Sequence, residues 1–335
     1  MRVYNASTEE NMHTVVYAFD DFDMEVEKSV LSALPHRLVP SHGLESAESR
    51  AALRDADALM VTLQRVTAEV LDAMPKCKLV SRLGVGLDSI DLKAAEERGV
   101  WVANVPDYGV DEVSTHAMAL LLAQLRGVVP LVASTRSGAW DASPAKPIQR
   151  LRGQTVGVLG FGRIGRMFAE KARGFGVQVI AHDAWVSAED MRAVGVESVS
   201  LDDLFRRSDF LSLHAPLTAE SKHVVNARTL ALMKPGAYLV NTARGGLVDE
   251  AALLDAIRDG QLRGAALDVL TSEPPRADDA ALQGLLQDPR VLITPHVAWY
   301  SEEAMIDMRA KGADEVVRVL SGGTPRCAVN KPRGK

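Results

Sequence analysis

The feature that most restricts what this chain can fold into is a turn near its middle, Gly160-Phe161-Gly162-Arg163-Ile164-Gly165, entered from the apolar run Val156-Gly157-Val158-Leu159. A strand that breaks into G-x-G-x-x-G and feeds a helix lets bare backbone approach a pyrophosphate. The first N–H groups of the helix then point at the anion. The pattern alone is weak, and its surroundings strengthen it. Met167-Phe168-Ala169-Glu170-Lys171-Ala172 continues as an amphipathic helix, and the run from Gly176 to His182 reads as the second strand of a βαβ unit. That strand ends in Asp183, eighteen residues after Gly165. This is close to the roughly 20 expected of the carboxylate that holds adenosine ribose hydroxyls.

Strand-like and helix-like segments alternate almost throughout, the pattern of an α/β fold with parallel sheets. The N-terminal part carries short strands at 14–18, 37–39, 58–62, 79–82 and 101–103, with helices at 24–34 and 91–98. It has no phosphate loop and is expected to form an open sheet of flavodoxin type. A second series begins at the glycine-rich turn, with strands at 155–159, 178–182, 210–213, 238–241, 265–268 and 291–294. Six strands match a full dinucleotide-binding fold. An apolar-rich helix at 111–128, with Asp111 and Glu112 in its first turn, bridges the two series. The final helix, 302–320, presents Met305, Met308, Val316 and Val319 and needs a surface to pack on. The expected organisation is a Rossmann dinucleotide-binding domain at 105–301 and a smaller flavodoxin-like α/β domain, discontinuous in sequence, at 1–104 and 302–335.

Composition narrows the function classes. The 335 residues carry a net charge of −6 with Lys and Arg scattered, which argues against a nucleic-acid surface. The longest apolar stretch, 117–122, is too short to span a bilayer, and the N-terminus lacks the basic-then-apolar pattern of a signal peptide. Two cysteines, Cys77 and Cys327, are too few for a disulfide framework or a zinc site. A cytoplasmic protein without metal, nucleic-acid or membrane partners is expected.

In an open α/β sheet, ligands sit outside the carboxyl ends of the strands. The third strand of the second series ends at His214-Ala215-Pro216, the fourth at Asn241-Thr242-Ala243-Arg244-Gly245, the fifth at Asp268 and the sixth at Thr294-Pro295-His296. Topology therefore places Arg244 and His296 on the crest of the glycine-rich loop, with Glu273 just beyond Asp268. Arg, Glu and His have a shared use. A hydride leaves a secondary alcohol carbon only as the hydroxyl proton is removed, and His suits that because its pKa lies near neutrality. A carboxylate on the far ring nitrogen fixes the tautomer and favours the imidazolium. An Arg fork binds a planar carboxylate in two places and polarises the adjacent carbonyl. Each residue also has a plainer use: Arg244 as a turn donor, Glu273 as a solvated loop acid, and His116, His214 and His223 as turn or capping residues. Asp268 reads equally as a cap for the next loop or as a carboxylate beside a nicotinamide.

With these residues, the chain resembles the D-isomer-specific 2-hydroxyacid dehydrogenase family. The resemblance rests on Arg82-Leu83-Gly84-Val85-Gly86-Leu87-Asp88-Ser89-Ile90-Asp91, the glycine-rich turn, Leu213-His214-Ala215-Pro216-Leu217-Thr218, the run Asn241 to Gly246, Leu267-Asp268-Val269 with Glu273-Pro274, and Thr294-Pro295-His296. It implies that Arg244, Glu273 and His296 are catalytic. It implies that Arg82, Val85, Gly86 and Arg244 serve the substrate, with the Val85 and Gly86 N–H groups receiving its carboxylate. It also implies NAD as cofactor, held by Gly160, Gly162, Arg163, Ile164, Gly165, Asp183, His214, Pro216, Thr242, Ala243 and Asp268. The expected activity is interconversion of a small D-2-hydroxyacid and its 2-keto acid, by two domains hinged over a cleft in a homodimer joined through the NAD-binding domains.

Pro295-His296-Val297-Ala298-Trp299-Tyr300-Ser301-Glu302 and the run Asn241 to Glu250 are similar to the C-terminal-binding-protein branch of the family. Alternatives in the same frame are therefore an NAD(H)-sensing, corepressor-like interaction protein, or a dehydrogenase of another small anion such as 3-phosphoglycerate, phosphite or formate. Trp299 reads as an apolar wall for the substrate or as hinge packing. Arg65 reads as a second anion contact or a solvated surface Arg. Thr115 stands where the family often has an acid, and Ala184-Trp185 where Pro and Tyr are common.

Overall fold

Apolar strands buried on both faces are the signature of a parallel sheet covered by helices, and the inner strands of the first sheet are of this kind. In the computed structural model, which describes residues 12–19 and 23–334, strands β1 (His13–Ala18), β2 (His36–Pro40), β3 (Ala58–Val61), β4 (Leu79–Arg82) and β5 (Trp101–Asn104) run parallel in the order β2-β1-β3-β4-β5. Val15, Val16, Tyr17 and Ala18 of β1 and all of β3 are fully buried. This is the flavodoxin-type order expected from the sequence.

The described residues up to Gly109 and those from Ser301 onward form one compact unit, and Val110–Tyr300 forms the other. The crossings fall a few residues from 104 and 302 for local reasons. Val105 N donates to the Gly84 carbonyl and so stays with the first sheet, and Ser301 Oγ accepts from Ala304 N as the cap of the last helix. The helix expected at 24–34 spans only Glu25–Leu31. Ala33 N and Leu34 N reach back three residues to Val30 and Leu31, tightening the chain ahead of Pro35.

The C-terminal helix Glu302–Leu320 lies on the helix Glu25–Leu31 and on β4. Backbones approach closely at Gly312, where a Cβ would strike Leu83 and whose carbonyl accepts from Ser81 Oγ at 2.9 Å. Arg309 fixes this docking. Its Nε and Nη2 donate to the two carboxylate oxygens of Glu27, each at 2.7 Å, and Glu27 is fully buried. Beyond the helix, Asn330 accepts from Val102 N at 2.8 Å and donates to the Val100 carbonyl at 2.9 Å, clipping the chain along β5.

The second sheet has seven parallel strands rather than six. β6 (Thr155–Leu159), β7 (Gln178–His182), β8 (Glu197–Ser198), β9 (Phe210–Leu213), β10 (Ala237–Asn241), β11 (Leu262–Leu267) and β12 (Val291–Ile293) take the order β12-β11-β10-β9-β6-β7-β8. The unforeseen strand β8 is a two-residue polar edge, without the apolar run or alternation that marks a strand in sequence. The order reverses at β6, whose end is the glycine-rich turn, and this is the place where such sheets open for a ligand.

The bridging helix spans Val110–Arg126 rather than 111–128. It stops at Gly127, whose φ of +59° is left-handed and where a Cβ would meet Ala145. A second helix, Val128–Arg136, then leaves at 62°. Among the described residues no single helix is long and apolar enough to cross a membrane, and no three His, Cys, Asp or Glu side chains are grouped to hold a metal.

Breaking a buried ion pair strands the remaining charge and costs about 3–5 kcal/mol. Arg309→Ala should lose stability on that scale in urea unfolding, and a loss below about 1 kcal/mol would show that the pair does not secure the C-terminal helix.

Candidate active site

The glycine-rich turn is shaped by three different requirements. Gly160, at φ +92°, passes against the backbone of His214 and Ala215, where a Cβ would collide. Gly165 sits on the Gly160 carbonyl and brings the helix Arg163–Arg173 onto the turn. Gly162 meets nothing within 4 Å of a would-be Cβ, so the face at the helix N-terminus is open. Arg163 is exposed at the first helical position, and Ile164 is half-buried behind it. Tight turn, open anion face and close helix packing are what a pyrophosphate cradle needs.

Asp183 terminates β7 beside this turn. One oxygen accepts from Phe161 N at 2.6 Å and the other from Trp185 N and Val186 N at 2.8 and 3.0 Å. Burial raises the pKa of this carboxyl, but the three N–H donors outweigh it and hold the group below the usual carboxylate range. Asp183 thus ties the turn to the loop after β7 while keeping acceptor capacity for a hydroxyl. Two further polar atoms near the crest, His214 Nδ1 and Thr242 Oγ1, are buried without a hydrogen-bond partner among the described residues. Pro216 is exposed and Ala243 half-buried. Open glycine face, ionised Asp183 and two waiting polar atoms fit a dinucleotide.

Beyond β10, Asn241 shapes the Arg244 turn. Its fully buried side chain accepts from Ala243 N at 3.0 Å and donates to the Arg244 carbonyl at 2.9 Å. Arg244 Nη1 donates to the Ala243 carbonyl at 2.6 Å. Gly245 then packs on Leu270 and Thr271 with no room for a Cβ, bringing the Arg244 turn against the loop after β11. Glu250, which sequence reading did not single out, anchors that loop: its two oxygens accept from Thr271 N at 2.8 Å and Thr271 Oγ1 at 2.5 Å. Burial raises the pKa of its carboxyl.

Glu273 and His296 meet on this loop. Glu273 Oε2 lies 2.6 Å from His296 Nδ1, and Oε1 accepts from Leu270 N at 2.8 Å. Both side chains are about one-third exposed, at 36% and 35%. Burial raises the pKa of Glu273, but the bonds from His296 and Leu270 N and the charges of His296 and Arg244 outweigh it and keep it low. The Glu273 contact occupies Nδ1 and leaves Nε2 to act.

His296 has a left-handed φ of +52°, rare for a residue with a Cβ. Asp268 holds it there. The Asp268 carboxylate, only 2% exposed, accepts from Thr294 Oγ1 at 2.5 Å, Val297 N at 3.0 Å and Ala298 N at 2.9 Å, while its carbonyl accepts from His296 N at 2.8 Å. These bonds are those of a loop cap. Trp299 Nε1 adds a donor to the His296 carbonyl at 3.0 Å, so its polar edge is turned to the backbone of the same loop.

The first unit has its own crest at the ends of β3 and β4. Arg65 is exposed there, as is Val85, while Gly86 is half-buried. Asn104 Nδ2 donates to the Val85 carbonyl at 2.8 Å. Arg82 is folded beneath this loop, with Nη1 bonded to the Leu83 carbonyl and the guanidinium filling the space a Gly84 Cβ would need. Arg82 thus supports the loop carrying Val85 and Gly86. Thr115, in place of the acid, receives Lys171 Nζ at 2.6 Å, and Lys171 also pairs with Asp111 at 2.7 Å.

Residues 118–298 match the family model for the NAD-binding domain of D-isomer specific 2-hydroxyacid dehydrogenases. The chain is 44% identical over 281 residues to D-3-phosphoglycerate dehydrogenase of Mycobacterium bovis, covering 84% of this chain and 52% of that protein. It is 39% identical over 292 residues to the D-3-phosphoglycerate dehydrogenase of Methanocaldococcus jannaschii, covering 87% and 55%. It thus spans about half the length of the curated relatives it matches. Among solved structures it is similar to D-lactate dehydrogenase from Aquifex aeolicus complexed with NAD and lactic acid, with a TM-score of 0.84, 29% identity, and 92% of this chain and 96% of that chain covered.

Burial pushes the His214 imidazole down to about 3 from an ordinary 6.5. Between these values the unfolded chain binds a proton that the folded chain does not, so stability falls as pH falls through that window. The loss by pH 5 is about 2 kcal/mol. Without cofactor, His214→Gln should lose less stability than the wild type between pH 7 and pH 5 in urea titrations. Equal losses would contradict a buried neutral imidazole.

Proposed function

The chain belongs to the D-isomer specific 2-hydroxyacid dehydrogenase family, and from that premise we propose that it interconverts a D-2-hydroxyacid and its 2-keto acid with NAD. The observation that carries the proposal is the 2.6 Å Glu273–His296 pair beside Arg244, on the crest of a sheet that also carries the glycine-rich turn. NAD, when bound, supplies the nicotinamide that accepts or returns the hydride. Gly160, Gly162, Arg163, Ile164, Gly165, Asp183, His214, Pro216, Thr242 and Ala243 are assigned to holding it.

His296 is assigned as the base. Its Nε2 takes the substrate hydroxyl proton in oxidation and returns it in reduction. Glu273, ionised at neutral pH, fixes the tautomer through Nδ1 and compensates the imidazolium charge. Arg244 is assigned to the substrate carboxylate and to the carbonyl oxygen as it polarises. In the first unit the backbone N–H groups of Val85 and Gly86 are assigned to an incoming carboxylate. Arg65, exposed on the same crest, is assigned to a second anionic group if the acid carries one, as the names of the phosphoglycerate relatives suggest.

The remaining assignment is to a second copy of the chain through the NAD-binding unit. Segment 128–140 of that unit exposes Val128, Val129, Val132 and Trp140, at 44%, 47%, 41% and 86%. Apolar side chains concentrated in one segment are the usual raw material of a homodimer face.

Four measurements test these assignments. NADH consumption should be seen with at least one member of a panel of short, branched and phosphorylated 2-keto acids. His296→Ala or Arg244→Ala should then cut turnover by at least ~10²-fold. NADH binding with no turnover on any acid would favour a sensing module, and near-normal turnover in either variant would remove the catalytic roles. Arg65→Ala should raise KM for phosphorylated acids alone, and an equal change for lactate-sized acids would cancel its assignment. The wild type should sediment as a dimer that Val129→Ser with Trp140→Ser weakens; a wild-type monomer would dispose of the interface.

A further inference from the structure

Three groups link the bridging helix to the loop of His296. His116 Nε2 lies 3.1 Å from Thr294 Oγ1, and Thr294 Oγ1 donates to Asp268 at 2.5 Å. A hydroxyl has one proton. Since Thr294 spends it on Asp268, the bond from His116 must be donated by Nε2–H. Resting on the dehydrogenase reading above, we propose that His116 is a positioning residue for His296: its Nε2–H orients the Thr294 hydroxyl onto Asp268, and Asp268 fixes the turn that aims the His296 imidazole.

The helix is a suitable base for such a donor because it is clamped on either side of His116. One turn earlier, Lys171 Nζ bonds Asp111, Ser114 and Thr115 at 2.6 to 2.9 Å. Two turns later, Gln124 Nε2 donates to the Ala265 carbonyl of β11 at 2.5 Å and to the Arg290 carbonyl at 3.1 Å. His116, Leu120 and Gln124 recur every fourth residue and so share the helix face that meets β11 and the residues flanking β12, Arg290 and Thr294. At the far end, the acceptors of Asp268 are committed to Val297 N and Ala298 N. Without a donor from His116, Thr294 is free to turn its proton elsewhere, and the left-handed backbone at His296 loses part of what holds it. The imidazole of His116 has a side-chain exposure of 25% and touches no part of the Glu273–His296 pair in the hydrogen bonds described. Its action runs through the loop.

The test compares His116→Leu, which removes the donor, His116→Gln, which restores an N–H at similar reach, and Thr294→Val, which removes the relay without touching the helix. Two readouts are taken: kcat and KM on the acid turned over, and amide hydrogen exchange at Val297 and Ala298. His116→Leu and Thr294→Val should each lower kcat about tenfold with KM little changed, since misaimed groups cost turnover rather than uniform binding. Exchange at both amides should quicken by a similar factor, and His116→Gln should recover both readouts. Wild-type kcat and protection in His116→Leu, or a Gln variant no better than Leu, would overturn the proposal. If the wild type turns over no acid at all, the dehydrogenase reading fails, while exchange at Val297 and Ala298 still decides whether His116 holds the loop.

Discussion

The chemistry of the second unit hangs on the side chain of Asp268. A carboxylate at 2% exposure survives only if its lone pairs are matched, and here they are matched by Thr294, Val297 and Ala298. The same bonds bend the chain after β12 back on itself and force His296 into a left-handed conformation. Strain of that kind persists only where the surroundings over-determine it. Asp268 supplies the determination, and the Trp299 indole reinforces it from the other side. Glu273 can then reach Nδ1 because its own loop is anchored independently, through Glu250 and Thr271. Two loops from adjacent strand ends are each fixed by a buried carboxylate, and the acid–imidazole pair forms where they meet.

Most of this architecture is legible in the sequence, because parallel strands and the glycine-rich turn carry strong signals. The strands of the first sheet stand within a residue of where their apolar runs place them, and the final helix spans the expected 302–320. The crest was readable for a topological reason: strand ends line up on one edge, so Arg244 and His296 had to share it. What escaped were features without a pattern. β8 is two polar residues long. The break at Gly127 depends on the approach of Ala145, nearly twenty residues on, which no local pattern reports. Glu250 looks like an ordinary acid in the first turn of a helix until Thr271 folds onto it.

Three residues expected at the ligand also brace the loops that carry the site. Asp268 serves backbone donors, Trp299 sends its indole N–H to the His296 carbonyl, and Arg82 lies under the loop of Val85 and Gly86. In each case the bracing bond is one that no sequence pattern reports. Their partners lie some thirty residues away for Asp268 and within a single turn for Trp299 and Arg82, and both look alike in one dimension.

The Arg309–Glu27 pair joins side chains 282 residues apart in the chain. During synthesis the Val110–Tyr300 unit is complete before residue 309 exists, whereas the sheet begun at β1 lacks its covering helix until residues 302–320 have been made. Domains fold as units as they emerge. The order in which the units are completed is therefore inverted with respect to the order in which they begin: the nucleotide-type unit is whole first, and Glu27 waits for Arg309 until after it.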